Sequence, residues 1–395
     1  MITNDPSGPW ELCGADHGIL SGVKVLDLSR VFAGPNCTQM LSDYGASVIK
    51  IESPTGDETR SWGPPFHEDG TSCYYYGINR NKLSVELDLA SVEGQRHVYE
   101  LAMSADVLIE NFKQGTMARW GLGFDEVLAP AAPRLIYCRI TGYGVDGPMA
   151  GFAGYDAALQ AYGGLMSVNG FDDREPLRVG MPIVDLIASH LALEGILLAL
   201  RERDSSGAGQ LLDVTLLDAA ISLLHPHSAG WAATGSIPSR TGGAHPTIAP
   251  YQSFSTAEGG IFIGAANDRQ FEALMTALGM PEAARDPRFA SNAARINARE
   301  ELADLIQSLV QRSDNHQLTK VLLAAGVVAS PVHNVAQALT DAQVIHRDLF
   351  VDNGSYRGIG IPLKMSRSRA RAPQAPRPRG ADTDTVLKSM EAAAT

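Results

Sequence analysis

Between residues 23 and 52 the chain runs VKVLDLS, then NCTQMLSDYGA, then SVIKIE. The first and last pieces alternate apolar and polar residues or are nearly all apolar, as strands do. The middle piece carries apolar residues at helical spacing. A strand, a helix and a second strand within so short a span form a βαβ unit, whose strands lie parallel. The pattern recurs in KLSVELDL, SVEGQRHVYELAMSA, DVLIENF, TMARWGLGFDEVLAPA and RLIYCRITGYG. Repeated β–α steps predict an α/β fold with a doubly wound parallel sheet. The expected strands are residues 23–29, 47–52, 82–89, 106–112 and 134–144. Asn36 is the expected cap of the first helix, and Gly45 the residue that ends it.

A chain of 395 residues exceeds one ordinary core, so two domains are expected. The texture changes near His225, where HPHSAGWAATGSIPSRTGGAHPTIAPYQSF is rich in Gly, Pro and Ser. A strand (GIFIGAAN) and three helical stretches follow. The expected layout is an arm over 1–20, a large domain over 21–225, a linker and small α/β domain over 226–330, and a return segment over 331–395.

The formal net charge of −12 disfavours a nucleic-acid partner, which calls for a basic footprint. Cys13, Cys37, Cys73 and Cys138 form no C-x-x-C, as expected of free thiols in a reducing compartment. The first residues lack the basic and apolar regions of a signal peptide. The most apolar stretch contains Asp185, His190 and Glu194, which a membrane span rarely tolerates. The expectation is a cytoplasmic protein with no membrane partner.

The first βα loop, RVFAGPNC, has one glycine where a dinucleotide site needs G-x-G-x-x-G. His225 and His227 flank a proline with no third ligand nearby, so no metal site is expected. There is no G-x-S-x-G elbow. Tyr74, Tyr75 and Tyr76 read either as a stacking platform or as a buried element start. Two acids stand alone at helix starts. Asp185 lies between apolar runs in PLRVGMPIVDLIASHLALEG, and Asp156 in AGYDAALQAYGGLM. Each reads either as a helix N-cap or as a carboxylate for covalent or acid–base chemistry.

Taken together, LSGVKVLDLSRVFAGPNCTQMLSDYGASVIKIESPTGDETRSW, NRNKLSVELDL, ADVLIENFKQGTMARWGLG, RVGMPIVDLIAS and GAGQLLDVTLLDAA resemble the family III CoA-transferases, the CaiB–BaiF family. The resemblance implies an interlocked homodimer of open-ring chains, whose Rossmann-like large domain takes both chain ends. It implies CoA exchange between an acyl-CoA and a free carboxylic acid, with the CoA thioester as substrate and no further cofactor. Its R-x-G-x-x-x-x-D pattern places the nucleophile at Asp185. It puts CoA contacts at Phe32, Ala33, Leu87, Asp88, Leu89, Ala90, Asn111, Phe112, Lys113, Arg119, Tyr155 and Asp156. Asp156 is expected to orient the CoA or thioester end. A related branch, the α-methylacyl-CoA racemases, carries Gly-His-Asp where this chain has Gly154-Tyr155-Asp156, so racemase-like or intramolecular CoA chemistry is the alternative. Arg30, Arg60, Arg139 and Arg178 are candidates to pair with the far end of a dicarboxylate. The glycine loop at 240–245 resembles loops that cover the site in some relatives.

Overall fold

The computed structural model describes residues 8–14 and 18–393. Six strands, β1 (Lys24–Asp27), β2 (Ser47–Glu52), β3 (Leu83–Glu86), β4 (Val107–Glu110), β5 (Ile136–Thr141) and β6 (Leu211–Thr215), form one sheet in the order β3-β2-β1-β4-β5-β6. Every neighbouring pair is parallel. The β2 strand keeps its expected limits, while the other four expected strands are shorter. Their apolar alternation continues into the loops, where Leu28, Leu87 and Leu89 stay buried after the ladder has ended.

The period-two pattern sorts the sheet's two faces. Leu26 pairs with Ile49 and Leu108, and all three lie in one core cluster. Val25 pairs with Val48 and Val107, and these lie in the other. A parallel sheet covered on both faces needs apolar residues at both parities. Seven of the helices that frame the sheet and the site are, in chain order, α1 (Ala33–Asp43), α2 (Cys73–Ile78), α3 (Val92–Ser104), α4 (Thr116–Arg119), α5 (Asp156–Tyr162), α6 (Ile183–Ser206) and α7 (Leu216–Ser222). Cys37 and Leu41 of α1 join Ala188, Ala192 and Ile196 of α6 over one face. Val98 and Leu101 of α3 and Val386 of the C-terminal helix Thr383–Ala393 cover the other. Each Leu, Ile or Val among them, fully buried, contributes about 1.5–3 kcal/mol relative to exposure.

Two helix starts differ from expectation. Asn36 does not cap α1, which begins at Ala33, and the Asn36 N–H already donates to Phe32 O at 2.8 Å. Pro35 is tolerated there because a first-turn residue has no intrahelical acceptor to lose. Asp185 is not the first residue of α6, which begins two residues earlier, at Ile183 after Pro182. With 24 residues α6 is long and apolar enough to cross a membrane, but Val184, Ala188, Ala192, Ile196 and Ala199 pack in the core cluster.

The chain divides into two units. One comprises the chain up to Leu165, Val179–Ser228 and the chain from His346 onward. The other comprises Met166–Arg178 and Ala229–Ile345. The second unit therefore takes a short excursion from the middle of the first, and the return begins at His346 rather than at 331. It holds an antiparallel sheet of β7 (Tyr251–Thr256), β8 (Gly259–Gly264) and β9 (Val328–Pro331). Helices Asp268–Ala277, Arg299–Val310 and Asn315–Ala324 bury Phe271, Ile306 and Leu322 against it. In the expected arm, Pro9–Cys13 forms a 3-10 turn with Trp10 and Cys13 buried, while 1–7 and 15–17 lie outside the described residues.

Candidate active site

The strand order changes direction between β1 and β4, and in open α/β sheets the crevice beyond the strand ends at that point receives ligands. Here the two exits are tied to each other. The Arg30 N–H donates to Asn111 Oδ1 at 2.9 Å, and Asn111 Nδ2 donates to Arg30 O at 2.7 Å. Glu110 accepts from the Phe112 N–H at 2.7 Å. The Phe112 ring meets Trp120 edge-on at 5.0 Å and carries the Arg30 guanidinium at 5.4 Å from its centroid.

Below the β1 exit lies a buried ionic network. Asp27 accepts from Ser29, Thr38 and Lys82, the last at 3.1 Å. Lys50 donates to Ser29 O at 2.7 Å and pairs with Asp57 at 3.1 Å. Glu52 takes two bonds from Arg60 at 2.7 Å and one from Tyr75 at 3.0 Å. Burial opposes ionisation of Glu52, but Arg60 and Lys50 win and hold its carboxyl down to about 2. This bracing supports an unusual backbone. Val31 has φ of +70°, a region that a β-branched residue enters only under strain, and its N–H points to Asp57 Oδ1 at 3.4 Å.

The two lone acids meet. Asp156 is the first residue of α5, yet its side chain caps α6 instead: Oδ1 accepts from the Val184 N–H at 2.8 Å and the Asp185 N–H at 3.3 Å. Oδ2 accepts from Gln160 Nε2 at 2.7 Å. The loop before Asp156 reaches this place because Gly142 and Gly154 touch. A Cβ on Gly142 would sit 2.6 Å from Gly154 N. With the cap supplied by Asp156, the Asp185 carboxylate is left free. It is 9% exposed, and among the described residues no hydrogen bond or ion pair reaches it. Burial and, next, the charge of Asp156 push its carboxyl up to about 7.

Asp185 lines a cleft of about 180 Å³ together with Phe32, Ala33, Asn111, Phe112, Lys113 and Tyr155. A second cleft of about 380 Å³ is lined by Asp88, Leu89, Ala90, Thr116 and Trp120, and shares Arg30, Phe112 and Lys113 with the first. Ten of the thirteen expected site residues thus lie on these two walls. Three do not. Leu87 is buried in the core. Arg119 is exposed and donates to Thr116 Oγ1 at 2.8 Å. Asp156 caps α6 and is not on either wall. The tyrosine run splits three ways. Tyr75 is buried under Arg60, and Tyr76 stacks on His67 and Tyr356. Tyr74 meets Phe32 at 6.0 Å and Trp62 at 5.3 Å, and burial, with the charges of Asp185 and Asp156, raises its hydroxyl pKa. Val31, which lines the Asp185 cleft, is a site feature that spacing alone did not single out.

The family model described as CoA-transferase family III matches residues 20–383. The chain belongs to the family III CoA-transferases. The succinate–glutarate CoA-transferase of Agrobacterium fabrum is 40% identical over 349 residues, covering 87% of each chain. The succinyl-CoA–D-citramalate CoA-transferase of Chloroflexus aurantiacus is 38% identical, over 84% of this chain and 83% of that one. The crystal structure of a CaiB/BaiF family protein from Brucella suis superposes with a TM-score of 0.88 at 38% identity, covering 95% of this chain and 100% of that one. For a CoA-transferase the site has what thioester exchange asks of it. It offers an unpartnered buried carboxylate and a neighbouring cleft lined by the cations Arg30 and Lys113.

Proposed function

We propose that this CoA-transferase exchanges CoA between dicarboxylic acids through acylation of Asp185. The Asp185 carboxylate attacks the donor thioester carbonyl and CoA thiolate leaves, forming a mixed anhydride. The thiolate attacks the aspartyl carbonyl, giving aspartyl-CoA thioester and the free donor acid. The acceptor carboxylate attacks that thioester, again releasing CoA thiolate and forming a second anhydride. The thiolate then attacks the acceptor's acyl carbonyl, giving the new acyl-CoA and regenerating Asp185. The thioester is conserved only if water stays out, so a buried nucleophile suits the chemistry.

The observation that carries this reading is the Asp185 carboxylate, nine-tenths buried, without a partner, on the wall of a cleft. The cleft beside it, with Asp88, Leu89 and Ala90 on its wall and Lys113 at the junction, suits the CoA nucleotide. The relatives' acids, succinate, glutarate and citramalate, are all dicarboxylates, which supports that substrate class. Exposed Leu197 and Leu198 on α6 and Ile221 on α7 support a homodimer, and the four free cysteines a cytoplasmic setting. Hydroxylamine added during turnover with succinyl-CoA and glutarate tests the covalent step. The expected result is a hydroxamate on the peptide carrying Asp185 and on no other. Turnover with no trapped aspartate overturns the reading.

A further inference from the structure

We propose that Arg30 selects dicarboxylates by pairing with the carboxylate remote from the reacting one, an inference that rests on the transfer reading above. Four arginines were candidates, and the structure separates them. Arg60 is committed to Glu52 through two bonds of 2.7 Å and to Tyr75. Arg139 pairs with Asp213 at 3.5 Å and lines a different cleft, beside Glu110 and Tyr137. Arg178 belongs to the second unit. Arg30 alone of the four lines the cleft that holds Asp185.

Its base is fixed and its head is free. The Arg30 backbone is clamped on both sides by Asn111, at 2.9 and 2.7 Å. Among the described residues its guanidinium makes no ion pair and no hydrogen bond. It lies 5.4 Å from the centroid of the Phe112 ring, and that ring is held in turn by Trp120. A guanidinium resting on an aromatic ring keeps its planar fork of N–H donors available, and that fork matches a carboxylate bidentately. Arg30 and the other cation, Lys113, both line the two clefts, so their chemistry separates them. As a compact point charge, Lys113 suits phosphate, and the fork of Arg30 remains for the acid. A monocarboxylic acid of equal length makes the same reaction-centre contacts and gains nothing from Arg30.

The test uses butyryl-CoA, which has no remote carboxylate, as donor, with glutarate and valerate as chain-matched acceptors. Arg30→Met is expected to lower kcat/KM for glutarate by about 10- to 100-fold, the range of a charged hydrogen bond at a solvent-open site. The valerate rate should stay within about three-fold, and KM for butyryl-CoA should not change. Arg30→Lys should recover part of the glutarate loss. An equal loss with both acids, together with a raised KM for butyryl-CoA, overturns the proposal and gives Arg30 to the CoA phosphates. An unchanged glutarate rate overturns it outright. Wild-type enzyme that transfers CoA to neither acid, from butyryl-CoA or from succinyl-CoA, defeats the transfer reading itself, and does so before any variant is made.

Discussion

The first unit buries carboxylates in two places close to the same crevice and treats them in opposite ways. Asp27 and Glu52 are buried among Lys82, Lys50, Arg60, serines, a threonine and a tyrosine. Burial works against Asp27 too, but the charges of Lys82 and Lys50 hold its carboxyl below the usual range. Asp185 is buried without a partner, beside another acid, and is pushed up to about 7. A satisfied buried carboxylate fixes a loop, and an unsatisfied one is a strained reagent. The same residue type therefore reads as scaffold or as chemistry according to its partners, and burial alone does not separate the two.

The largest expected effect breaks the comparison at Asp185. Asp185→Asn should lower turnover by at least about 1000-fold, because a covalent nucleophile has no substitute. Its effect on stability should run the other way. The folded-state pKa of about 7 lies above the unfolded value of about 3.9, so the native state binds the proton more tightly. Stability is then lost as pH rises between those values, and the full cost, at most about 4 kcal/mol, is present above pH ~7. Asp185→Asn should raise the thermal midpoint at pH 8, and the gain should shrink toward pH 4. A destabilised variant at pH 8 would place Asp185 with the scaffold acids.

Asp27→Asn should do the reverse. It leaves the Lys82 ammonium buried without its ion-pair partner, among the neutral acceptors Pro35 O and Asn79 Oδ1. Removing one partner of a buried pair costs about 3–5 kcal/mol. Urea unfolding should show that loss, and replacing Lys82 by Met in the same chain should return part of it. If Asp27→Asn unfolds like wild type, the network does not brace the β1 exit.

The sequence made the sheet legible because its physics is local. Period-two alternation survives in Val25, Leu26, Val48 and Ile49, and the faces follow from it. The expectation of a nucleophile at Asp185 came from the family resemblance, because a lone acid between apolar runs reads equally as a helix cap. The Asp156–Asp185 relation was not legible. Each acid precedes a helical stretch and so reads as the cap of its own helix, whereas the cap crosses 28 residues from Asp156 to Val184. The strained turn was hidden for another reason. A β-branched residue is the last to be expected at positive φ, and Val31 is held there by a network assembled from distant strands. Leu87 and Arg119 show the opposite limit, since correct position in a motif does not say which way a side chain points.

The smallest expected effect sharpens the comparison, because it changes the neighbour and leaves the nucleophile in place. The wild-type rate should rise with pH to a plateau above about 7, since only the ionised Asp185 attacks. Asp156→Asn removes the negative charge beside Asp185 but keeps one oxygen to accept from the Val184 N–H, now 2.8 Å from Oδ1. Without that charge Asp185 ionises more readily, so the midpoint of kcat/KM against pH should move below the wild-type value. The plateau rate should fall modestly, because a less basic carboxylate is a weaker nucleophile. The new amide also faces the Gln160 amide at a position where an oxygen accepted at 2.7 Å, and stability should drop by about 1 kcal/mol. Asp156→Ala removes the cap as well and should cost about 1–2 kcal/mol while shifting the midpoint in the same direction. A midpoint that stays put or moves upward in both variants would mean that Asp156 serves α6 alone. The raised pKa of Asp185 would then belong to its burial.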